Sequence, residues 1–125
     1  MTSGNLTDNP VLDESALDRI RALQQPGSTD LVDRLIGIYL DTSQGLVEKI
    51  RTALAAGDAR TICAAAHALK SSSGNMGATA LTELAGQVEC RTRDADLSDA
   101  QSLIGRLLEE HQRVTAALLA RRIAA

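Results

Sequence analysis

Aromatic residues are almost absent from this sequence of 125 residues, which contains one tyrosine, Tyr39, and neither phenylalanine nor tryptophan. Proline occurs only twice, and alanine and leucine dominate the apolar 44% of the chain. A core that lacks aromatic side chains and has few β-branched ones favours packed helices over a sheet. The two cysteines, Cys63 and Cys90, are too few for a disulfide scaffold and indicate reduced, cytosolic thiols.

The charge and hydropathy of the chain argue against several functional classes. The net charge is −3, and basic residues are scattered apart from Arg121-Arg122, so no nucleic-acid footprint is visible. The longest apolar runs are far too short for a membrane span, and the N-terminus lacks the pattern of a signal peptide. We therefore expect a cytoplasmic domain that contacts neither nucleic acid nor membrane.

Hydrophobic periodicity predicts helices joined by short connections, after a polar segment over residues 1–11 that we expect to be a flexible tail or linker. The first helix is predicted to start at a cap, Asp13, and to end near Gln24. The buried positions expected on it are Leu17, Ile20 and Leu23. Ser28 is predicted to cap a second helix that runs to about Asp41. The inner positions expected on that helix are Leu31, Leu35, Ile38 and Tyr39.

The remaining predicted helices carry clearer boundary signals. Thr42-Ser43 is expected to break or bend the second helix and to start a third. Gly57 is predicted to end that helix in a left-handed conformation, and Asp58 to cap the next. Further helices are predicted over residues 59–74, 78–93 and about 100–120, the last opened by a capping box from Ser98 to Gln101. Residues 12–122 are thus predicted to form an all-α, antiparallel four-helix bundle with one or two short additional N-terminal helices.

The helix predicted over residues 59–74 carries a histidine among small neighbours. At about 100° per residue, one stripe of this helix contains Cys63, His67, Lys70, Ser71 and Gly74. Imidazole is a nucleophile near neutral pH, and Lys70 supplies a positive charge where an added anionic group would lie. Because Ser71 and Gly74 are small, a partner could approach the imidazole closely.

Other interpretations of these residues are weaker. Cys63 and His67 have the spacing of metal ligands on a helix, but no cluster of Asp or Cys completes a site. The three serines of residues 71–73 have no Asp–His pair placed for nucleophilic catalysis. His111 lies on the apolar stripe of the last helix, which indicates a partly buried structural residue rather than a second acceptor.

A longer run around His67 resembles the signature of a known family. This run is His67-Ala68-Leu69-Lys70-Ser71-Ser72-Ser73-Gly74-Asn75-Met76-Gly77-Ala78, followed by Leu81. It is similar to that of histidine phosphotransfer (HPt) domains, of the type found at the C-terminal end of hybrid sensor histidine kinases. The resemblance implies that His67 is phosphorylated on Nε2, that Lys70 steadies the phosphoryl group, and that Ser71 stands where a small residue, usually glycine, lets a receiver domain approach.

Glu89 falls where members of this family often have a Glu or Gln that accepts a hydrogen bond from Nδ1 of the histidine. The helical pattern supports the same role, because Glu89 shares a stripe with Gly86, which would allow close approach to the histidine helix. Glu89 could as easily pair with Arg93, four residues on.

The resemblance implies a phosphocarrier of a multistep phosphorelay, without a catalytic centre of its own. It would accept a phosphoryl group from a receiver-domain aspartate and pass it to another receiver. No cofactor is expected, since Mg²⁺ belongs to the receiver, and the domain is expected to be monomeric, either free-standing or part of a hybrid sensor kinase. The alternatives are the N-terminal phosphotransfer domain of a chemotaxis-type kinase and an adaptor that binds receivers without accepting phosphate.

Overall fold

The computed structural model of the chain describes residues 11–24 and 31–124, with side chains up to residue 122. Within these ranges the secondary structure is entirely helical. The helices are α1 (Glu14–Arg21), α2 (Leu31–Ala56), α3 (Ala59–Asn75), α4 (Thr79–Thr92) and α5 (Ala100–Ala124). The polar segment predicted over residues 1–11 and the cap predicted at Ser28 fall outside the described residues, apart from Val11, which packs against the core.

Helices α2 to α5 form a closed ring, in which each packs on the next and α5 returns to α2. Short connections between successive helices make them antiparallel. Each helix buries an aliphatic stripe at the centre of the ring, and α1 covers one side by packing on α2. The largest fully buried side chains of the ring include Ile36, Ile50, Ile62, Leu69, Leu81, Ile104, Leu107 and Leu118. The predicted all-α bundle is confirmed.

Two of the predicted helix boundaries are confirmed in atomic detail. The carboxylate of Asp13 accepts a hydrogen bond from the Ser15 amide at 3.0 Å, and that of Asp58 accepts one from the Thr61 amide at 3.1 Å. Gly57 adopts a φ of +71°, the left-handed conformation that ends α2. These signals are local, since each cap is satisfied by residues two or three positions away.

The break predicted at Thr42-Ser43 is wrong, because both residues lie inside α2, a continuous helix of 26 residues. Ser43 is fully buried, and its hydroxyl forms a hydrogen bond of 2.9 Å with Nε2 of His111 on α5. A serine favours helix ends when its hydroxyl competes for local backbone groups. Here the hydroxyl has a distant partner in addition to the Leu40 carbonyl at 3.4 Å, and the helix continues through Ser43.

The inner positions predicted for the start of α2 and the end of α1 need correction. Ile38 is 55% exposed and Leu23 is 75% exposed, whereas Val32 and Ile36 are buried. Since α2 is continuous, its buried stripe keeps the phase set by Tyr39 and by the residues that follow it. Leu23 lies beyond the last residue of α1, where the helix no longer turns it inward.

The capping box predicted at Ser98 is also not formed as expected. The Ser98 hydroxyl and amide both donate to the carboxylate of Asp96, at 2.7 and 2.9 Å. An aspartate two residues upstream thus takes the hydrogen bonds of Ser98 in a local turn, and α5 begins at Ala100.

The turn between α3 and α4 anchors α1 to the bundle at Gly77. The carbonyl of Gly77 accepts a hydrogen bond of 2.7 Å from the Asp13 amide, and its φ is +78°. A Cβ atom on this residue would lie 2.5 Å from the carbonyl oxygen of Asp13 and 2.9 Å from Cβ of Ala16. The turn therefore requires glycine for both its backbone conformation and its close packing.

We predict that Gly77→Ala destabilises the fold more than Gly57→Ala does. Both glycines have positive φ, which costs an alanine about 1–2 kcal/mol. A Cβ at Gly57 meets open space, whereas at Gly77 it meets backbone, which adds about 1–3 kcal/mol for overpacking. Urea unfolding of the two variants measures the difference, and equal losses would contradict the packing argument.

A second prediction concerns His111, which is 4% exposed. Burial lowers the pKa of His111 below its ordinary value of 6.5, and the charge of Arg51 lowers it further. The unfolded chain therefore binds this proton more readily, so the free energy of unfolding falls as the pH drops below about 6.5. We expect urea unfolding between pH 7.5 and 5 to show this loss in the wild type and a flatter dependence in His111→Gln; equal slopes would contradict it.

Candidate functional site

The candidate site lies where α3 and α4 meet, the most extensive helix pair of the bundle. Small residues make this pair close, because Ala65, Ala66 and Ala85 are buried between longer side chains. Gly86 extends the close approach toward the surface, since a Cβ atom there would lie 3.3 Å from Cδ of Lys70. The absence of a side chain at Gly86 thus leaves room for the Lys70 side chain, while a close approach of the two helices at Gly86 itself stays a prediction.

His67 projects from this surface, and its side chain is 63% exposed. Its Nδ1 atom lies 2.8 Å from Oε2 of Glu89 on α4. An ionised carboxylate can only accept hydrogen bonds, so Nδ1 is the donor and carries the proton. The neutral ring then has its lone pair on Nε2, the nitrogen turned away from Glu89. The structure thus brings together the two residues that the sequence placed on different helices.

Lys70 shares the same carboxylate. Its Nζ lies 2.8 Å from Oε1 of Glu89, while the lysine side chain stays 38% exposed. The contact with the Lys70 ammonium lowers the pKa of Glu89 below its ordinary value, and the hydrogen bond from His67 adds to this effect against the opposing cost of burial. Glu89 is therefore an ionised, largely buried group held between two side chains of α3.

The small residues predicted beside His67 occupy two different environments. Ser71 and Gly74 are exposed on the same face as His67. Ser73 is fully buried, and its hydroxyl forms a hydrogen bond of 2.7 Å with that of Tyr39 on α2. This contact joins α2 to α3 below the exposed face, so the three serines do not act as one cluster.

A groove with two arginines opens beside His67, and sequence reasoning did not find it as a unit. The residues that line it are Arg60, Cys63, Ala64, His67, Glu89, Thr92, Arg93 and Ala95. Arg60 precedes His67 by two turns and therefore shares its face, a spacing that was visible in the sequence. Helix α3 contains no acidic residue, so the face around His67 is cationic in a chain of net charge −3.

The alternative pairing of Glu89 with Arg93 is present together with the predicted one. Nη2 of Arg93 lies 3.7 Å from Oε2 of Glu89, the oxygen that also binds His67. The two interpretations left open by the sequence are thus compatible, because one carboxylate oxygen faces both side chains.

Cys63 is directed toward α4 and not toward a metal site. Its Sγ lies 3.6 Å from the carbonyl oxygen of Glu89, which also accepts the Thr92 hydroxyl at 3.4 Å. Neither cysteine forms a disulfide, and the described residues contain no cluster of His, Cys, Asp and Glu that could hold a metal ion. In the same parts of the chain, no helix has the length and hydropathy to cross a membrane.

A four-helix bundle that presents a tautomer-fixed histidine to solvent is the architecture of histidine phosphotransfer domains. The model of the family described as Hpt domain matches residues 34–117, more than half of the chain. The chain belongs to this family, whose members are phosphocarriers of two-component phosphorelays and interact with receiver domains.

A solved structure agrees with this assignment. The chain is similar to histidine-containing phosphotransfer protein B (HptB) from Pseudomonas aeruginosa PAO1, with 27% sequence identity and a TM-score of 0.84. The match covers 93% of this chain and 97% of that one. A search among curated protein sequences gave no significant match.

Proposed function

We propose that His67 accepts a phosphoryl group from the aspartyl phosphate of a receiver domain and passes it to a second receiver. The observation that carries the proposal is the 2.8 Å contact from Nδ1 of His67 to the Glu89 carboxylate, which in the neutral ring leaves the lone pair on Nε2, on a side chain that is 63% exposed. A nucleophile needs a free lone pair at an accessible atom, and Nε2 of His67 meets both requirements.

In the proposed step, the Nε2 lone pair of His67 forms a bond to phosphorus as the bond from phosphorus to the aspartate oxygen breaks. The aspartate leaves with that electron pair as a free carboxylate. His67 keeps its proton on Nδ1, and the positive charge that develops on the ring is stabilised by Glu89. The Mg²⁺ that shields the transferring group is supplied by the receiver, so the domain itself needs no cofactor.

Lys70 is proposed to steady the phosphoryl group on Nε2. Its ammonium group lies one helical turn from His67, partly exposed and already turned toward the same carboxylate. An ammonium group has three donors, so Lys70 could reach phosphoryl oxygens by a small rotation about its flexible stem. Charge-assisted hydrogen bonds of this kind are about twice as strong as neutral ones.

The receiver is proposed to dock across an apolar groove that adjoins the C-terminal end of the helix that carries His67. The groove lies where α1, α2 and the end of α3 meet, and it contains the exposed side chains Leu23 and Ile38. Ser72 and Asn75 of α3 line this groove, about one to two turns beyond His67. Exposed large aliphatic residues beside a reactive group are typical of an interaction surface.

The first test is phosphoryl transfer from a phosphorylated receiver domain. We expect acid-labile, base-stable label on the wild type and on His111→Gln, and none on His67→Gln, because only His67 presents Nε2 to solvent. Circular dichroism checks that both variants fold. Undiminished label on His67→Gln, or an unlabelled wild type that still binds receivers, would contradict the proposal, and the second result would indicate an adaptor. Label acquired only from ATP through a separate kinase domain would indicate a chemotaxis-type domain.

The second test concerns the clearance at Ser71, which lies one turn from His67 on the exposed face. We expect Ser71→Trp to slow transfer by about a hundredfold, since a displacement of the reacting groups by about 1 Å has effects of this size. Ser71→Ala keeps the position small and should retain transfer. The transfer rate is measured with a labelled receiver, and circular dichroism checks that each variant keeps its helix content. Fast transfer in Ser71→Trp would mean that this position does not control access.

A further inference from the structure

The hydrogen bond between Glu89 and His67 is enough to orient the imidazole, yet the Glu89 carboxylate also contacts two cationic side chains, Lys70 and Arg93. Lys70 contacts Oε1 at 2.8 Å, whereas His67 at 2.8 Å and Arg93 at 3.7 Å share Oε2. Glu89 is 11% exposed at its side chain, so its charge depends strongly on these partners. Arg93 is 62% exposed and can move without disturbing the core.

The role proposed for Lys70 creates a conflict at this carboxylate. When Lys70 binds the phosphoryl oxygens, its charge is shared with a group that carries about two negative charges, and its hold on Glu89 weakens. Glu89 would then keep only the Nδ1 proton of His67 as a partner on α3. A largely buried carboxylate in this position tends to take up a proton or to turn toward water, and either change releases the imidazole.

Arg93 is placed to prevent this release. It follows Glu89 by one turn of α4, and it faces the groove beside His67. Its guanidinium is always charged, and from 3.7 Å it needs only a small rotation to donate hydrogen bonds to Oε2. The Glu89 carbonyl accepts hydrogen bonds from Cys63 and Thr92, which hold the main chain from which the carboxylate projects.

We propose that Arg93 is a positioning residue, which keeps Glu89 ionised and directed at Nδ1 of His67 while Lys70 is engaged with the phosphoryl group. The inference rests on the proposed function, because it assigns the phosphoryl group to Nε2. It makes Lys70 and Arg93 two counter-ions of one carboxylate that substitute for each other. Removing either one leaves the other in place, whereas removing both leaves Glu89 with His67 alone.

The experiment is a double-mutant cycle with two readouts. The fraction of His67 with its proton on Nδ1 is measured by ¹⁵N NMR at pH 8 in the unphosphorylated protein, and the transfer rate is measured with a phosphorylated receiver. We expect Arg93→Gln alone to keep the tautomer and to slow transfer about two- to fivefold, as for the loss of an exposed ion pair. Arg93→Lys should restore the rate. In Lys70→Gln/Arg93→Gln the Nδ1–H fraction should fall, and the rate should drop by more than the product of the single effects.

Two variants serve as controls. Arg91→Gln removes the same charge two residues away, from a side chain paired with Asp99, and should match the wild type in both readouts. Arg60→Gln removes an equal charge from the same groove without an ion pair to Glu89, and should leave the tautomer of His67 unchanged in the Lys70→Gln background.

The results separate this inference from the proposed function. If the wild type takes no label, the proposed function is rejected. The tautomer measurement, which needs no phosphoryl group, then decides by itself whether Arg93 positions Glu89. A Lys70→Gln/Arg93→Gln protein that retains the full Nδ1–H fraction, or rate effects that simply multiply, would overturn the inference. In the Lys70→Gln background, a fall in the Nδ1–H fraction with Arg60→Gln equal to that with Arg93→Gln would also overturn it, because the effect would then come from the groove's charge and not from the contact.

Discussion

The hydrogen bond between Nδ1 of His67 and the Glu89 carboxylate is the interaction on which the site depends. It determines which ring nitrogen carries the proton, and it turns the other nitrogen to solvent. The bond also has a cost, because a carboxylate that is 11% exposed has lost most of its hydration. Lys70 and Arg93 offset part of that loss, since both place a positive charge beside the Glu89 carboxylate.

The composition of the chain explains why such a bond can form between two helices. Side chains of α3 and α4 meet across the pair only if the helix axes are close, and Ala66, Ala85 and Gly86 provide that closeness. Aromatic residues in these places would separate the helices and carry Glu89 away from His67. The near absence of aromatic residues, which first indicated a helical fold, therefore has a direct consequence for the site.

Features that depend on neighbours in sequence could be predicted, and those that depend on distant partners could not. Gly57-Asp58 marked a boundary because both the left-handed turn and the cap are local. His67 and Glu89 could be paired because the resemblance to histidine phosphotransfer domains implied the contact, and the helical repeat supported it by placing each beside small residues on its own helix. The continuity of α2 through Ser43 escaped prediction, since the group that satisfies its hydroxyl, His111, lies 68 residues away. In the continuous helix Ile38 lies off the buried stripe that contains Ile36 and Tyr39, so its predicted place on the inner face is wrong.

Members of this family carry phosphate without a catalytic centre, so the surface around the histidine must supply the selectivity that a catalytic site would otherwise provide. In this chain two unlike grooves border α3. His67 lies in the groove lined by Arg60 and Arg93, whereas Leu23 and Ile38 are exposed in an apolar groove where α1, α2 and the end of α3 meet. Positive charge attracts an anionic partner over a distance and accelerates its association, whereas apolar side chains contribute to binding only once the two surfaces are in contact. Under the proposed function, a receiver that satisfies both grooves at once would be held with its phosphoryl group above Nε2, and these two surfaces, rather than any reactivity of the imidazole alone, would distinguish one receiver from another.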